Sequence, residues 1–356
     1  MNLKAHIAAR IRAEGPISLS DYMAECLLHP KLGYYNRRDP LGRSGDFITA
    51  PEISQMFGEL IGLALAQAWM DQGRPARIIL AELGPGRGTL MADIRRAAGR
   101  VPGFVDAAEI WLVEASPALR AIQAETLAGF DVTWAEHLTD LPERPLFLVA
   151  NEFLDALPIR QFQREMTGWR ECRVGLGDAD ELVFGLGGET GVPALDHRLE
   201  DTEAGDIVEI NVQAAGIAES VGSRIAGQGG VALLIDYGDW RTLGDTFQAL
   251  RNHQTVAPLA EPGEADLTAH VDFEAVAVAA KAGGACFTRL TPQGVFLERL
   301  GITARARALF EQADEAGQEQ VIAAHRRLTH GDEMGNLFKV MGLYPDGAQP
   351  PPGLEP

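Results

Sequence analysis

The stretch Leu80–Leu90, LAELGPGRGTL, sets an acid, Glu82, ahead of three closely spaced glycines, Gly84, Gly86 and Gly88. Glycine in such a loop lets backbone approach a ligand, because it has no Cβ to clash and reaches angles closed to other residues. The spacing narrows the ligand. A triphosphate loop ends in Gly-Lys-Ser or Gly-Lys-Thr, whereas Gly88 is followed by Thr89. A dinucleotide loop has two residues between its second and third glycines, and here Arg87 alone separates Gly86 from Gly88. The pattern suits S-adenosylmethionine (SAM), whose methionine part needs close backbone passage and carries no pyrophosphate. Glu82 then organises the loop or holds the cofactor's ammonium through water. Glu114, in WLVEAS, can accept both ribose hydroxyls, a role shared with dinucleotide enzymes. Glu136 can accept from the adenine amino group. The competing readings are a turn carboxylate, a helix-cap partner and a solvated side chain, respectively.

These residues need a scaffold that brings them to one edge. ARIILAEL, EIWLVEAS, DVTWAE, PLFLVANEFL and GGVALLIDYG read as strands, and TLMADIRRAAG and PALRAIQAETLAG as helices. Such alternation implies right-handed crossovers and a mostly parallel α/β sheet with helices on both faces. PEISQMFGELIGLALAQAWMDQG predicts one helix that starts near Pro51 and stops at Gly73. Ser20 or Asp21 would cap a shorter helix before it. From Pro158 to about Gly205 the runs around Thr167-Gly168 suggest an antiparallel β insertion. Residues 239–272 read as a long irregular loop, and GNLFKVMGL as a last short strand. The expected organisation is residues 1–73 as an N-terminal helical region with a possible cofactor lid, and 74–157 as the first part of a SAM-binding core. The insertion follows at 158–205, the remainder of the core with a substrate loop at 206–345, and a disordered tail at 346–356.

The chain has 356 residues, 46% of them hydrophobic, and a formal net charge of -19. That charge argues against nucleic acid, whose phosphates need clustered Lys and Arg, and it is compatible with a basic protein partner. Cys26, Cys172 and Cys286 show no disulfide or metal spacing. With an N-terminus that lacks a signal-like apolar core, this predicts a cytoplasmic protein. No apolar run approaches the ~18 residues of a membrane span. The oligomeric state is left open.

Several long stretches together resemble one family: HPKLGYYN, GDFITAPEISQMFGEL, ELGPGRGTLMADI, LVEASPALRAIQ, ANEFLDALPIRQF, DYG, GEADLTAHVDF and MGNLFKV. The resemblance is to the MidA-type methyltransferases, whose mitochondrial members assist assembly of respiratory complex I. It covers nearly the whole chain. It implies a class I SAM-dependent methyltransferase fold with an added N-terminal region and an insertion. It also implies that the methyl acceptor is an arginine of a partner protein, such as a respiratory complex subunit.

A guanidinium stays protonated in water, so an enzyme that methylates it must hold and localise one nitrogen. Paired carboxylates steer its planar fork. ANEFLDALP offers Glu152 and Asp155 for this role, with Asn151 toward the cofactor. DLTAHVDF adds His270 as an acceptor of a proton or hydrogen bond, unless HVDF simply starts a helix capped by Asp272. GDFITAPE can fold over the cofactor as a lid, with Gly45 as hinge, Asp46 and Thr49 as polar contacts and Phe47 against adenosine; or it is a turn leading into the Pro51 helix. Tyr34 and Tyr35 are ring contacts or core, and Asp236 and Tyr237 end a strand on the same rim. Two other readings stay open at this level: a non-catalytic SAM-binding assembly chaperone and an NAD-dependent dehydrogenase.

Overall fold

The computed structural model describes residues 2–37 and 49–356. Its central sheet is framed by β1 (Ile78–Leu83), β2 (Ala108–Val113), β3 (Val132–Ala135), β4 (Leu146–Asn151), β5 (Gly230–Asp239) and β6 (Phe338–Tyr344). The spatial order is β3-β2-β1-β4-β5-β6; the first five are parallel and β6 runs antiparallel to β5. All six residues of β1 are buried. Ile78 and Leu80 join one core with the helices Gln55–Asp71 and Thr89–Ala98. Ile79, Ala81 and Leu83 join the other, with the helices Val212–Gln228 and Phe273–Ala282. Successive strand residues point to opposite faces, so an unbroken apolar strand is what a sheet covered on both sides requires. Each fully buried Leu or Ile contributes about 1.5–3 kcal/mol.

Register sets the strand ends level. Leu83 pairs with Val113 and Ala150, Val113 with Ala135, and Asn151 with Ile235. The chain leaves β1 toward β2 and β3, then returns to β4 on the other side of β1. The crevice between the loops after β1 and β4 is therefore the topological switch point, where open α/β sheets bind ligands.

The antiparallel insertion is present as Arg160–Arg164, Trp169–Leu176 and Leu182–Thr190, and it reaches past residue 205 by pairing with Ile207–Ile210. It also recruits Ile17–Ser18 from the N-terminal region. Ile7, Met23, Ile159, Val174 and Leu267 share one core, so the N-terminal helices and the insertion form a single lobe.

Four local expectations are corrected. The Pro51 helix is two helices, Ala50–Ile53 and Gln55–Asp71, because Ser54 is extended (φ -162°) and its hydroxyl caps the second through the Met56 amide. The cap of Leu19–Leu28 is Ser18, which accepts the Asp21 amide at 3.0 Å. Residues 239–272 are not irregular: Gln248–Arg251, Gln254–Val256 and Asp266–Thr268 form a three-stranded sheet. Its first hairpin turns on Asn252 and His253, both at positive φ (50° and 60°), so the glycine that usually marks such a turn is missing. The tail is packed. Leu354 is 7% exposed, and the Arg289 amide donates to the Glu355 carbonyl at 2.8 Å. A tail poor in apolar residues looks disordered by composition, yet one leucine in a pocket anchors it. Among the described residues no helix is long and apolar enough to cross a membrane.

Candidate active site

The glycine loop after β1 has Gly84, Gly86 and Gly88 at φ +59°, +54° and +83°. A Cβ on Gly84 would sit 2.6 Å from the Phe153 ring. Gly88 opens the helix Thr89–Ala98. Glu82 is 3% exposed, and burial holds its pKa well above the carboxylate range, against the opposing pull of the Met91 backbone amide. Its Oε2 has no hydrogen-bond partner among the described residues.

Glu114 follows β2. It accepts the Ser116 amide at 2.7 Å and Gln123 Nε2 at 3.2 Å. The same Gln123 nitrogen donates to the Gly86 carbonyl at 2.8 Å, and its oxygen accepts Trp134 Nε1 at 2.8 Å. Gln123 thus ties the glycine loop to Glu114, and it is a site residue that the sequence reading missed. The available signal was a polar residue one helical turn after Leu119, on the buried face. Ser116 caps the helix Pro117–Thr126.

The acid loop follows β4. Glu152 adopts φ +51°. Its Oε1 accepts the Ala50 amide at 2.9 Å and Asn151 Nδ2 at 3.1 Å. Burial pushes its pKa up to about 7. Burial and the neighbouring Asp236, Glu152 and Asp266 raise Asp155 well above the usual range. Tyr35 donates its hydroxyl to Asp266 at 2.9 Å.

A cavity of about 920 Å³ lies at the switch point. Thr49, Glu82, Gly84, Gly86, Glu114, Glu136, Asn151 and Glu152 all line it, with Glu136 at its exposed rim. Gly88 stands behind as the helix opener. Tyr35 and Glu52 line it too, while Tyr34 is buried in the N-terminal core. Two further expected residues do not line it. Asp155, in the acid loop, is half-buried and is not among the lining residues. His270 packs edge-on against Tyr237, 4.2 Å between ring centres, with its pKa lowered by burial and Lys339. Asp272 caps the helix Phe273–Ala282 through the Ala275 amide, which is the structural alternative for this motif. Gly45, Asp46 and Phe47 of the expected lid lie outside the described residues.

The residues fit SAM. Glu82 Oε2 and Asn151 Oδ1 are buried acceptors without a partner among the described residues, suited to an ammonium and to donors of the ligand. The positive-φ glycines leave room for backbone approach. The volume falls within the ~300–1,000 Å³ of small-molecule sites. The sheet order, the level strand ends and this lining define a class I SAM-dependent methyltransferase.

The model of a family of S-adenosyl-L-methionine-dependent methyltransferases matches residues 60–291. Protein arginine methyltransferase NDUFAF7, mitochondrial, from Xenopus tropicalis is 38% identical, over 96% of this chain and 85% of its own length. The human protein of that name is 36% identical, over 96% and 82%. A Burkholderia thailandensis protein crystallised with S-adenosyl-homocysteine superposes with a TM-score of 0.84 at 30% identity, over 99% of this chain and 93% of its own. The chain belongs to the MidA-type family of SAM-dependent methyltransferases, and SAM is its cofactor. The expected cytoplasmic placement is overturned, because these relatives are named as mitochondrial proteins. Free cysteines argue against an oxidising compartment and do not tell one reducing compartment from another.

Proposed function

We propose that this chain transfers a methyl group to an arginine side chain of a partner protein, a respiratory complex subunit being the acceptor that the family resemblance implies. The observation that carries the proposal is Glu152, a carboxylate aimed into the cofactor cavity from the switch-point loop. The curated relatives named protein arginine methyltransferases support it. Bound SAM supplies an electrophilic methyl group on a sulfonium. The glycine loop, Glu82 and Asn151 would hold its methionine part, and Glu114 its ribose.

The chain's remaining task is alignment. Glu152, ionised beside the cationic acceptor, binds two guanidinium N–H groups and leaves one nitrogen facing the methyl group. Methylation leaves an extra proton on that nitrogen. Glu152, with a pKa near 7, is matched to receive it at neutral pH. Asp155 adds negative potential near Glu152, and Tyr35, held by Asp266, offers its oxygen to a remaining N–H. The net negative charge of the chain favours a basic partner.

The test is transfer of labelled methyl from SAM to proteins of cells that lack this chain, followed by mass spectrometry of the labelled residue. Label on arginine is expected. Label on another residue type, or none, overturns the proposal.

A further inference from the structure

The acid loop is held in place by a carboxylate that lies outside it. Asp236, near the end of β5, is 1% exposed. Its Oδ2 accepts the backbone amides of Phe153 at 3.1 Å, Leu154 at 2.8 Å and Asp155 at 3.4 Å. Its Oδ1 accepts the Tyr237 amide at 2.8 Å. Successive N–H groups turned onto one anion make a nest. The turn that creates this nest needs Glu152 at φ +51°, a conformation uncommon for residues other than glycine. The placement follows from register: Ile235 lies opposite Asn151, and its carbonyl accepts the Glu152 amide at 2.9 Å, so the next residue of β5 stands under the loop.

We propose that Asp236 is a positioning residue for methyl transfer: its charge gathers the amides of residues 153–155, and so fixes the direction in which Glu152 enters the cavity. This rests on the reading of Glu152 as the acceptor's ligand. Asp236 does not line the cavity. It acts on Asp155 as well. Asp155 is faced by Asp236 from β5, by Glu152 from its own loop, by Asp266 from the strand Asp266–Thr268, and by Tyr35 from the helix Tyr34–Arg37. Glu152 is faced by Asp236 and by the cationic Arg327 of the helix Glu315–Thr329; removing the Asp236 charge relieves both Asp155 and Glu152 of a like charge, so both would ionise at lower pH.

Asp236→Asn keeps the shape and one acceptor oxygen and removes the charge. Three measurements test it: S-adenosylhomocysteine affinity by calorimetry, the rate of label transfer to arginine in an extract of cells lacking the chain, and the pH profile of that rate. Affinity within about three-fold of the parent is expected, with transfer at least ten-fold slower and the acid limb of the profile moved to lower pH. A parental rate and profile overturn the inference while leaving the proposed function in place. A slower rate with an unmoved acid limb also overturns it, since a merely structural side chain would do the same. No arginine label from the parent chain instead overturns the proposed function, and the inference with it. Should the variant fail to fold, hydrogen exchange in the parent decides. Strong protection of the Phe153 and Leu154 amides is expected, and exchange at unprotected rates overturns the inference.

Discussion

The Glu152 carboxylate accepts the Ala50 backbone amide at 2.9 Å, across 102 residues of sequence. The bond joins the switch-point loop to the helix Ala50–Ile53, whose preceding Thr49 lines the same cavity. The side chain proposed to meet the acceptor therefore also holds the N-terminal region against the sheet. Substitutions at Glu152 must keep that bond if chemistry is to be separated from assembly.

Glu152→Gln meets this condition, since an amide oxygen still accepts from Ala50. Transfer to arginine should fall about 100-fold, the scale of loss from misalignment alone, with SAM affinity within a few-fold. Full transfer by the variant in the labelled-methyl assay would remove Glu152 from the acceptor site.

Glu152 also makes stability depend on pH. Its folded pKa of about 7 lies above the ordinary 4.5, so the folded state binds the proton more tightly than the unfolded state. That contribution is complete below pH 4.5 and is lost as pH rises through 7. The melting temperature of the cofactor-free chain should fall over this window, and less so in Glu152→Gln. Activity should run the opposite way, rising through the same range as the carboxylate ionises. Equal pH slopes for parent and variant in thermal unfolding would refute this.

Gly84→Ala should bind S-adenosylhomocysteine at least ten-fold more weakly. The new Cβ would fall 2.6 Å from Phe153 in a backbone at φ +59°, so the ring or the loop must shift. Gly86→Val, at φ +54°, should do at least as much, because a β-branched residue there is a genuine outlier. Calorimetry on the folded variants checks both; parental affinity would mean that the loop does not carry the ligand.

Glu114→Ala should weaken SAM and S-adenosylhomocysteine alike, by about 2–3 kcal/mol. It removes a common ribose acceptor and leaves the Ser116 amide and the Gln123 amide group short of a partner. The lost interaction is the same in both ligands, so their affinity ratio should not change. A change confined to one ligand would place Glu114 elsewhere.

Leu354→Ala should destabilise the fold by about 2 kcal/mol, the low end of the range for a buried leucine. The side chain closes over Gly342, where even a Cβ would come within 2.8 Å of it. Denaturant unfolding that matches the parent would show that the tail packs without contributing to stability.

By itself the sequence determined the parallel core and the cofactor. Both are local: apolar runs such as Ile78–Leu83 report burial on two faces, and the Glu82–Gly88 spacing reports what backbone can approach. It also located the acid loop, since Glu152 and Asp155 directly follow an apolar run. Only tertiary structure decided which of these acids lines the cavity. Glu152 does so, and Asp155 does not, on a turn whose amides Asp236, 84 residues beyond Glu152, gathers. The hairpin at Asn252-His253 was hidden because its positive φ angles fall on residues other than glycine. The single lobe made of residues 3–28, the insertion and 247–269 was hidden because its core unites three distant segments. Gln123, Tyr35 and Asp236 were in the sequence as ordinary polar residues. What they hold depends on neighbours brought from other strands and helices, and no periodicity along the chain encodes that proximity.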